Sequence, residues 1–525
     1  MTSPSSPQKT CWSIVKSMPL PQFTLICMII TIAIIQFEAF DAVDDMYMSG
    51  LRRVEQSMPD FASVKNVLTA FSHETDDFVE DYSYDGGTAF CLLTLDDNDI
   101  MSEWVGYHYH VFKMRRLIVA VDPNNKITPW EVLRPWTAEG SNGAFDLKIE
   151  VWENDKFMPD YFQNDYTRYE KQARFVVDPE DADKQTGTAA DIDLKLVSTQ
   201  YHNETFTKEH PDEVRTAIRK VNDHRFRQKY FIYKCFNQIK EERKDSDITW
   251  AVHIDTDEYL VPNPWINHRL KHALPINSTF VDRDVLKSIV PKKPRQDSLI
   301  EFFQHFLHHS DEKFKAANIP KSPMDRGCVM VPRALFGAGE DYMEEPASTV
   351  ALSKTANGET LQTTWSHSNF NSIRFKYHQD FNSPRAGGMK GILNVDTHNF
   401  TEKDGFYPDE VPSRFPNIHR PSKRCPIQHK GQMFFENDRS REQPMAIYHY
   451  LGSLERYMAR GDGRRNADKH QSKDKNAAFA VGDSFEIDND EPWWIKGWFD
   501  SFVETHGADA AYSVFGSAYG ERVAL

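Results

Sequence analysis

The chain has 525 residues, 40% of them hydrophobic and 13% aromatic, which is enough to bury a large core and excludes a disordered protein. Its formal net charge of −16 argues against a protein that coats a nucleic-acid backbone, because such a protein needs a basic face. An acidic enzyme of the cytosol or of a secretory lumen fits this balance.

Ser17 to Phe37 carries no charge and contains the run FTLICMIITIAII, close to the ~20 apolar residues that span a bilayer. Lys9 and Lys16 precede it, and Glu38, Asp41, Asp44 and Asp45 follow, so the charge bias predicts a cytosolic amino terminus and an exported body. The run is at the long end for a cleaved signal peptide, and no A-x-A site follows it, which favours an uncleaved anchor. The expected division is a cytosolic tail over 1–16, a transmembrane anchor over 17–37, an acidic stem over 38–86 and a folded domain over 87–525. Sequons at Asn203, Asn277 and Asn399 agree with export.

TAFCLLTL, from Thr88, reads as a buried strand whose end carries Asp96 and Asp97. Ile100, Trp104, Tyr107, His108 and Val111 recur at helical spacing with Asp99 as the expected N-cap, and Leu117 to Val121 form a second strand ending in Asp122. Strand, helix and strand in this order make a βαβ unit and predict a parallel sheet. Residues 141–210 read as an insertion loop with one further strand around Ile192, Leu194 and Leu196. After Pro211 a long helix is expected, and its Arg225, Arg227 and Lys229 could reach phosphates or form a solvated face.

That helix leads into WAVHIDTDEYLVP, in which Ile248, Trp250, Val252 and Ile254 alternate as one face of a strand. The strand ends in Asp255, Asp257 and Glu258. Two carboxylates two positions apart on a rigid strand stand ~7 Å from one another at ~3.4 Å per residue, so the chain must curl or the acids must divide the work. One could hold Mg2+ or Mn2+, ions that take few protein ligands and fill their shells with water and phosphates, while the other holds a sugar hydroxyl. An acidic turn is the plain alternative. Ligands of parallel sheets bind beyond the carboxyl ends of the strands, and Asp97, Asp122 and Asp255 all stand at such ends. Acids in the 96–99 run could equally cap the following helix.

Further along, IEFFQHFLHH predicts a helix, Val329 to Val331 a strand, and Gly337 and Gly339 a tight turn followed by Glu340 and Asp341. Ile447, Leu451, Leu454 and Tyr457 predict a helix, and WWIKGWFDSFV a closing one. His419 and His449 are candidate ligands, although a lone histidine is more often a structural donor. Cys328 with Cys425 is the expected disulfide, whereas Cys91 and Cys235 read as free buried thiols.

CLLTLDDNDIMSEWVGYHYHVFKMRRLIVAVDP, WAVHIDTDEYLVP, VPRALFGAGE and IYHYLGSLERY, in that order behind an amino-terminal anchor, resemble glycosyltransferase family 92 and neighbouring family-2-like transferases of type II membrane proteins. The resemblance covers roughly residues 88–460. It implies an α/β domain of the GT-A type, a nucleotide-sugar donor, a divalent cation (Mn2+ or Mg2+) and a glycan or glycoconjugate acceptor in the Golgi or endoplasmic reticulum. Carried across, Asp255 would face the ribose and the metal, Asp257 would bind the metal, and Asp97 and Asp122 would line the nucleotide pocket. The match does not extend to 141–210 or beyond 460, so the family's acceptors are not carried over. The family implies inversion at the anomeric carbon, which calls for a base on the acceptor hydroxyl. Glu340 is the expected base and Asp341 the runner-up; either could instead cap a helix. Two other classes compete: a catalytically silent luminal glycan-binding protein with the same fold, and a phosphodiester-cleaving metalloenzyme, which would need more His and Asp ligands.

Overall fold

Thr88–Thr94 (β1) places Phe90 and Leu92 on one face and Ala89 and Cys91 on the other, and both sets are fully buried. Such a strand belongs in the middle of a sheet covered on both sides. The computed structural model describes residues 86–160, 162, 211–263, 283–316, 326–337, 347–375, 377–379, 389–401, 421–422, 424–425, 443–450, 484–486 and 494–525, all within one compact unit, Ser83–Leu525. The fold is mixed α/β with a mixed principal sheet. Strands are numbered as they occur along the chain.

Helix α1 (Asn98–Val111) leads to Met114–Val121 (β2), which lies parallel to β1, with Lys148–Trp152 (β3) parallel beyond it. On the other side of β1 lies Trp250–His253 (β4), also parallel. Lys390–Asn394 (β11) follows, antiparallel to β4 and to Cys328–Val331 (β6), giving the order β3-β2-β1-β4-β11-β6. One face of this sheet buries Phe90, Leu92, Trp250 and Val252 with Trp104 and Tyr107 of α1 and Phe303 of α3 (Ser298–Ala316). The opposite face buries Ala89, Ile118 and Ala251 under Phe231, Phe236 and Ile239 of α2 (Pro211–Glu242). Three layers result, and the apolar alternation of β1 and β4 is what sorts the helices between them.

A second sheet runs in the order β13-β10-β7-β12-β5, built from Ser484–Glu486 (β13), Tyr377–Gln379 (β10), Arg333–Gly337 (β7), Met445–Tyr450 (β12) and Glu258–Pro262 (β5). Its edge strand β5 is held by α1. The Trp104 indole donates to the Glu258 carbonyl at 2.9 Å, and the Tyr107 hydroxyl donates to the Leu260 carbonyl. His108 donates from Nδ1 to the Trp104 carbonyl at 2.9 Å, so Nε2 is left to accept the Leu260 N–H at 3.4 Å. Burial lowers the His108 pKa to about 3, which keeps the ring in the neutral form that this acceptor role needs. A third sheet, β14-β9-β8, joins Gly520–Ala524 (β14), Thr360–Ser366 (β9) and Ser348–Lys354 (β8).

Several expectations change. Residues 445–450 form strand β12, not the start of a helix: β-branched and aromatic Ile447, Tyr448 and Tyr450 fit a pleated surface buried between β7 and β5. The helix after β1 begins at Asn98 with Asp97 at its N-cap, two residues before the expected Asp99. Lys148–Trp152 is a parallel strand inside the presumed insertion, and Gly337 ends a strand. The closing segment opens with a 3-10 turn, Trp494–Gly497, and continues as α4 (Trp498–His506) and α5 (Ala508–Tyr519). Gly507 separates these two helices at φ 85°, a conformation that suits glycine. Residues 1–85, the 192–196 strand and the run beyond Tyr450 to 483 lie outside the described residues. Among the described residues, no helix is long and apolar enough to cross a membrane.

Cys328 pairs with Cys425, as expected, but Cys91 and Cys235 are also joined, tying β1 to α2 across 144 residues of sequence. Two apolar cysteines from elements packed on one sheet face meet there, which their sequence spacing cannot reveal. Replacing both with alanine is expected to lower the unfolding free energy by ~2–5 kcal/mol, read from urea titration without reductant. Equal stability would mean that the bond does not form in solution.

Candidate functional site

Strand β1 lies between β2 and β4, so the chain leaves its carboxyl end on one side for β2 and the chain entering β4 arrives on the other. That reversal of strand order opens a crevice beyond the carboxyl ends of β1 and β4, where ligands of open α/β sheets bind. The predicted acids do stand around these ends. Asp97 is buried in the turn after β1, taking Thr94 Oγ1 at 3.4 Å and the Leu95 N–H at 3.3 Å. Asp122 caps its own loop, taking the Asn124 N–H and side-chain amide at 2.9 and 2.8 Å. The two loops are stitched together by the Lys126 N–H on Asp96 at 2.8 Å. Asp97 and Asp122 thus brace the loops at the carboxyl ends of β1 and β2.

The chain curls after β4. Glu258 turns back on the loop, accepting the Asp255 N–H at 2.9 Å, while its own N–H reaches the Asp255 carbonyl at 3.0 Å. Asp255, Asp257 and Glu258 are thus gathered at one turn, two strands' junction rather than one rigid strand. Lys390, at the start of β11 and opposite the β4 end, is buried to 1% exposure and lies 3.2 Å from Asp255 and 3.1 Å from Glu258. Arg333, at the start of β7, reaches the other Glu258 oxygen at 3.1 Å. Asp257 is buried, and His449 of β12 brings Nε2 to 3.3 Å from its Oδ1. The Asp257 carbonyl accepts the Tyr450 N–H at 2.7 Å, which fixes β12 against the turn.

Three carboxylates therefore face two fixed cations, Lys390 and Arg333, and one histidine. Burial raises the Asp255 pKa more than any other single influence, and Asp257 repels it further, but the Lys390 ammonium together with the nearby His253 and His449 holds the carboxyl below the usual carboxylate range. Burial opposes the charge on Lys390, and the Asp255 and Glu258 carboxylates more than restore it, so its pKa is raised. Asp255 keeps 35% of its side-chain surface exposed and is the acid that opens to the crevice.

Among the described residues, three buried nitrogens near this turn have no hydrogen-bond partner: His253 Nε2, His449 Nδ1 and Arg333 Nε. His253 donates from Nδ1 to the Cys91 carbonyl at 2.9 Å, so its Nε2 lone pair is the unmatched one. Burial, with Lys390 nearby, lowers the His253 pKa to about 4. Buried polar atoms in native proteins are matched in the great majority of cases, so orphans around one acidic turn suit a ligand-binding role.

The donor set also suits a divalent cation. Cis positions on an octahedral ion with ~2.1 Å bonds are ~3 Å apart, close to the Asp257 to His449 separation. Among the described residues, no three His, Cys, Asp or Glu side chains are grouped around one point, and Asp255 is turned towards Lys390.

The remaining candidates fall elsewhere. Arg227 of α2 is bound to Asp155 through three contacts of 2.9–3.1 Å, so it braces the β3 end, within the field of Asp122. The side chain of Arg225, and Glu340, Asp341 and His419, lie outside the described residues. Sequence reading passed over Glu258 as a buried anchor, Lys390, Arg333 and His253. Their signal was a charged or polar residue inside an otherwise apolar strand run, as in GGMKGIL and VPRALF. Comparison of the chain with family profiles, with characterised proteins and with solved structures gives no match.

Proposed function

We propose that the chain is a glycosyltransferase of the GT-A type that moves a sugar from a nucleotide-sugar donor to a glycan or glycoconjugate acceptor with the help of Mn2+ or Mg2+. The observation that carries this reading is the acidic turn after β4, with Asp255 open to the crevice and the buried Asp257 beside His449. Asp257 and His449 would hold the cation, with Asp255 completing the set or holding the ribose. Bound there, the cation would stabilise the negative charge that develops on the leaving diphosphate. Lys390 and Arg333 hold Glu258 and keep the turn folded around the site. An acid beyond β7, Glu340 first and Asp341 second, would take the proton of the attacking hydroxyl. Two disulfides, and the exposed sequon residue Asn399, support an exported body behind the amino-terminal anchor.

A thermal-shift panel of nucleotides and nucleotide sugars, with and without Mn2+, tests the proposal. A donor nucleotide at ~100 times its dissociation constant should add ~2.7 kcal/mol of stability, and most of it should vanish with chelator. A chain that responds to free glycans and to no nucleotide would instead be the silent binding protein that shares this architecture.

A further inference from the structure

Lys390 is an unusual neighbour for a cation site. Its ammonium is buried in a strand that packs against the β4 end, and it already neutralises Asp255, the carboxylate that opens to the crevice. The second contact, to Glu258 at 3.1 Å, gives it somewhere to remain when Asp255 is taken by another cation. Glu258 does not depend on Lys390 alone, since Arg333 holds its other oxygen. The lysine can therefore release one carboxylate without leaving a buried charge bare.

Charge counting shows what such a release requires. Among the described residues, and leaving the histidines out of the count, the three carboxylates and two cations sum to one formal negative charge at the turn. A divalent ion entering alone would reverse that sign beside the buried Lys390 and the partly buried Arg333, and like charges in a site of reduced dielectric repel strongly. A divalent ion entering with a diphosphate brings its own compensation. The freed ammonium can then donate to a phosphate oxygen, a charge-assisted bond of the stronger kind.

We propose that Lys390 is a tethered cation that occupies Asp255 in the resting protein, so that the divalent ion and the nucleotide diphosphate bind with positive coupling and the ion binds poorly by itself. This rests on the glycosyltransferase reading of the same turn. It adds an order to the site: the metal is recruited by the nucleotide rather than resident. By linkage, the factor by which the diphosphate tightens the metal must equal the factor by which the metal tightens the diphosphate.

The test measures Mn2+ binding by electron paramagnetic resonance of the free ion, on the full luminal chain, with no nucleotide and with uridine or guanosine diphosphate. For the unaltered protein, the better of the two diphosphates should tighten Mn2+ at least tenfold. Lys390→Met should bind Mn2+ without nucleotide at least tenfold more tightly than the unaltered chain, and the coupling factor should shrink correspondingly. Lys390→Arg, which keeps the charge, should retain the weak nucleotide-free binding. If Lys390→Met fails to fold, the coupling factor of the unaltered chain still decides: equal Mn2+ affinity with and without diphosphate overturns the proposal. So does a folded Lys390→Met whose nucleotide-free affinity is unchanged. Absence of Mn2+ binding in every form, with either diphosphate, would instead remove the metal-dependent reading on which the proposal stands.

Discussion

Asp257→Asn is expected to lower Mn2+ affinity in the presence of the donor diphosphate by ~100-fold or more, and transferase activity with it. Loss of a partner that only orients a ligand typically costs ~10–100-fold, and a direct carboxylate ligand should cost at least as much. Asparagine keeps the volume of a side chain that is almost fully buried and leaves the backbone carbonyl that anchors Tyr450 in place. The unfolding midpoint should therefore move little while binding collapses, a separation read by calorimetry with Mn2+ on one side and thermal unfolding on the other. Unchanged affinity would make the turn an acidic bend and no more.

The neighbouring acid should behave in the opposite way. Glu258 is fully buried and takes Lys390, Arg333 and the Asp255 N–H. Glu258→Ala leaves the buried Lys390, the partly buried Arg333 and a backbone donor without their acceptor, and breaking a buried pair of this kind typically costs ~3–5 kcal/mol. The expected result is a large drop in the urea midpoint, with activity lost because the turn that carries Asp255 and Asp257 no longer closes. Glu258→Gln, which keeps one acceptor and the shape, should recover part of the stability. A Glu258→Ala protein as stable as the parent would mean that Lys390 and Arg333 find other partners and that this acid is not the turn's anchor.

These two acids show how far the sequence could be read. The β1-α1-β2 unit was legible because alternation and helical spacing are local, and the carboxyl ends of β1, β2 and β4 located the crevice with its Asp97, Asp122 and Asp255. Asp257 was legible as a candidate for the same reason. His449 was noticed as a residue type but placed on the wrong element, because Ile447, Leu451, Leu454 and Tyr457 happen to follow helical spacing while strand β12 runs through the first of them. Lys390 and Arg333 were passed over since a lone basic residue in an apolar run gives no hint of an acid over 70 residues away. KIEVW is a five-residue edge strand with an alternation too short to rise above its acidic surroundings. The Cys91 to Cys235 bond depends on which helix covers which sheet face, and that is decided by the packing of the whole domain.

If the chain is the transferase proposed above, the clamp of Trp104, Tyr107 and His108 on β5 limits what kind of acceptor it could serve. Those three side chains occupy Glu258 and Leu260 backbone groups along the outer edge of the second sheet, next to the acidic turn. An extended polypeptide that adds itself to a sheet needs such groups unoccupied. Here the rail is already filled by the protein's own helix. On that proposal, a protein acceptor would approach by offering a protruding group, a sugar or a side-chain hydroxyl, to the crevice, with its own backbone conformation left unread along this edge. Selectivity at this border would then follow the shape of the presented group more than the sequence that carries it.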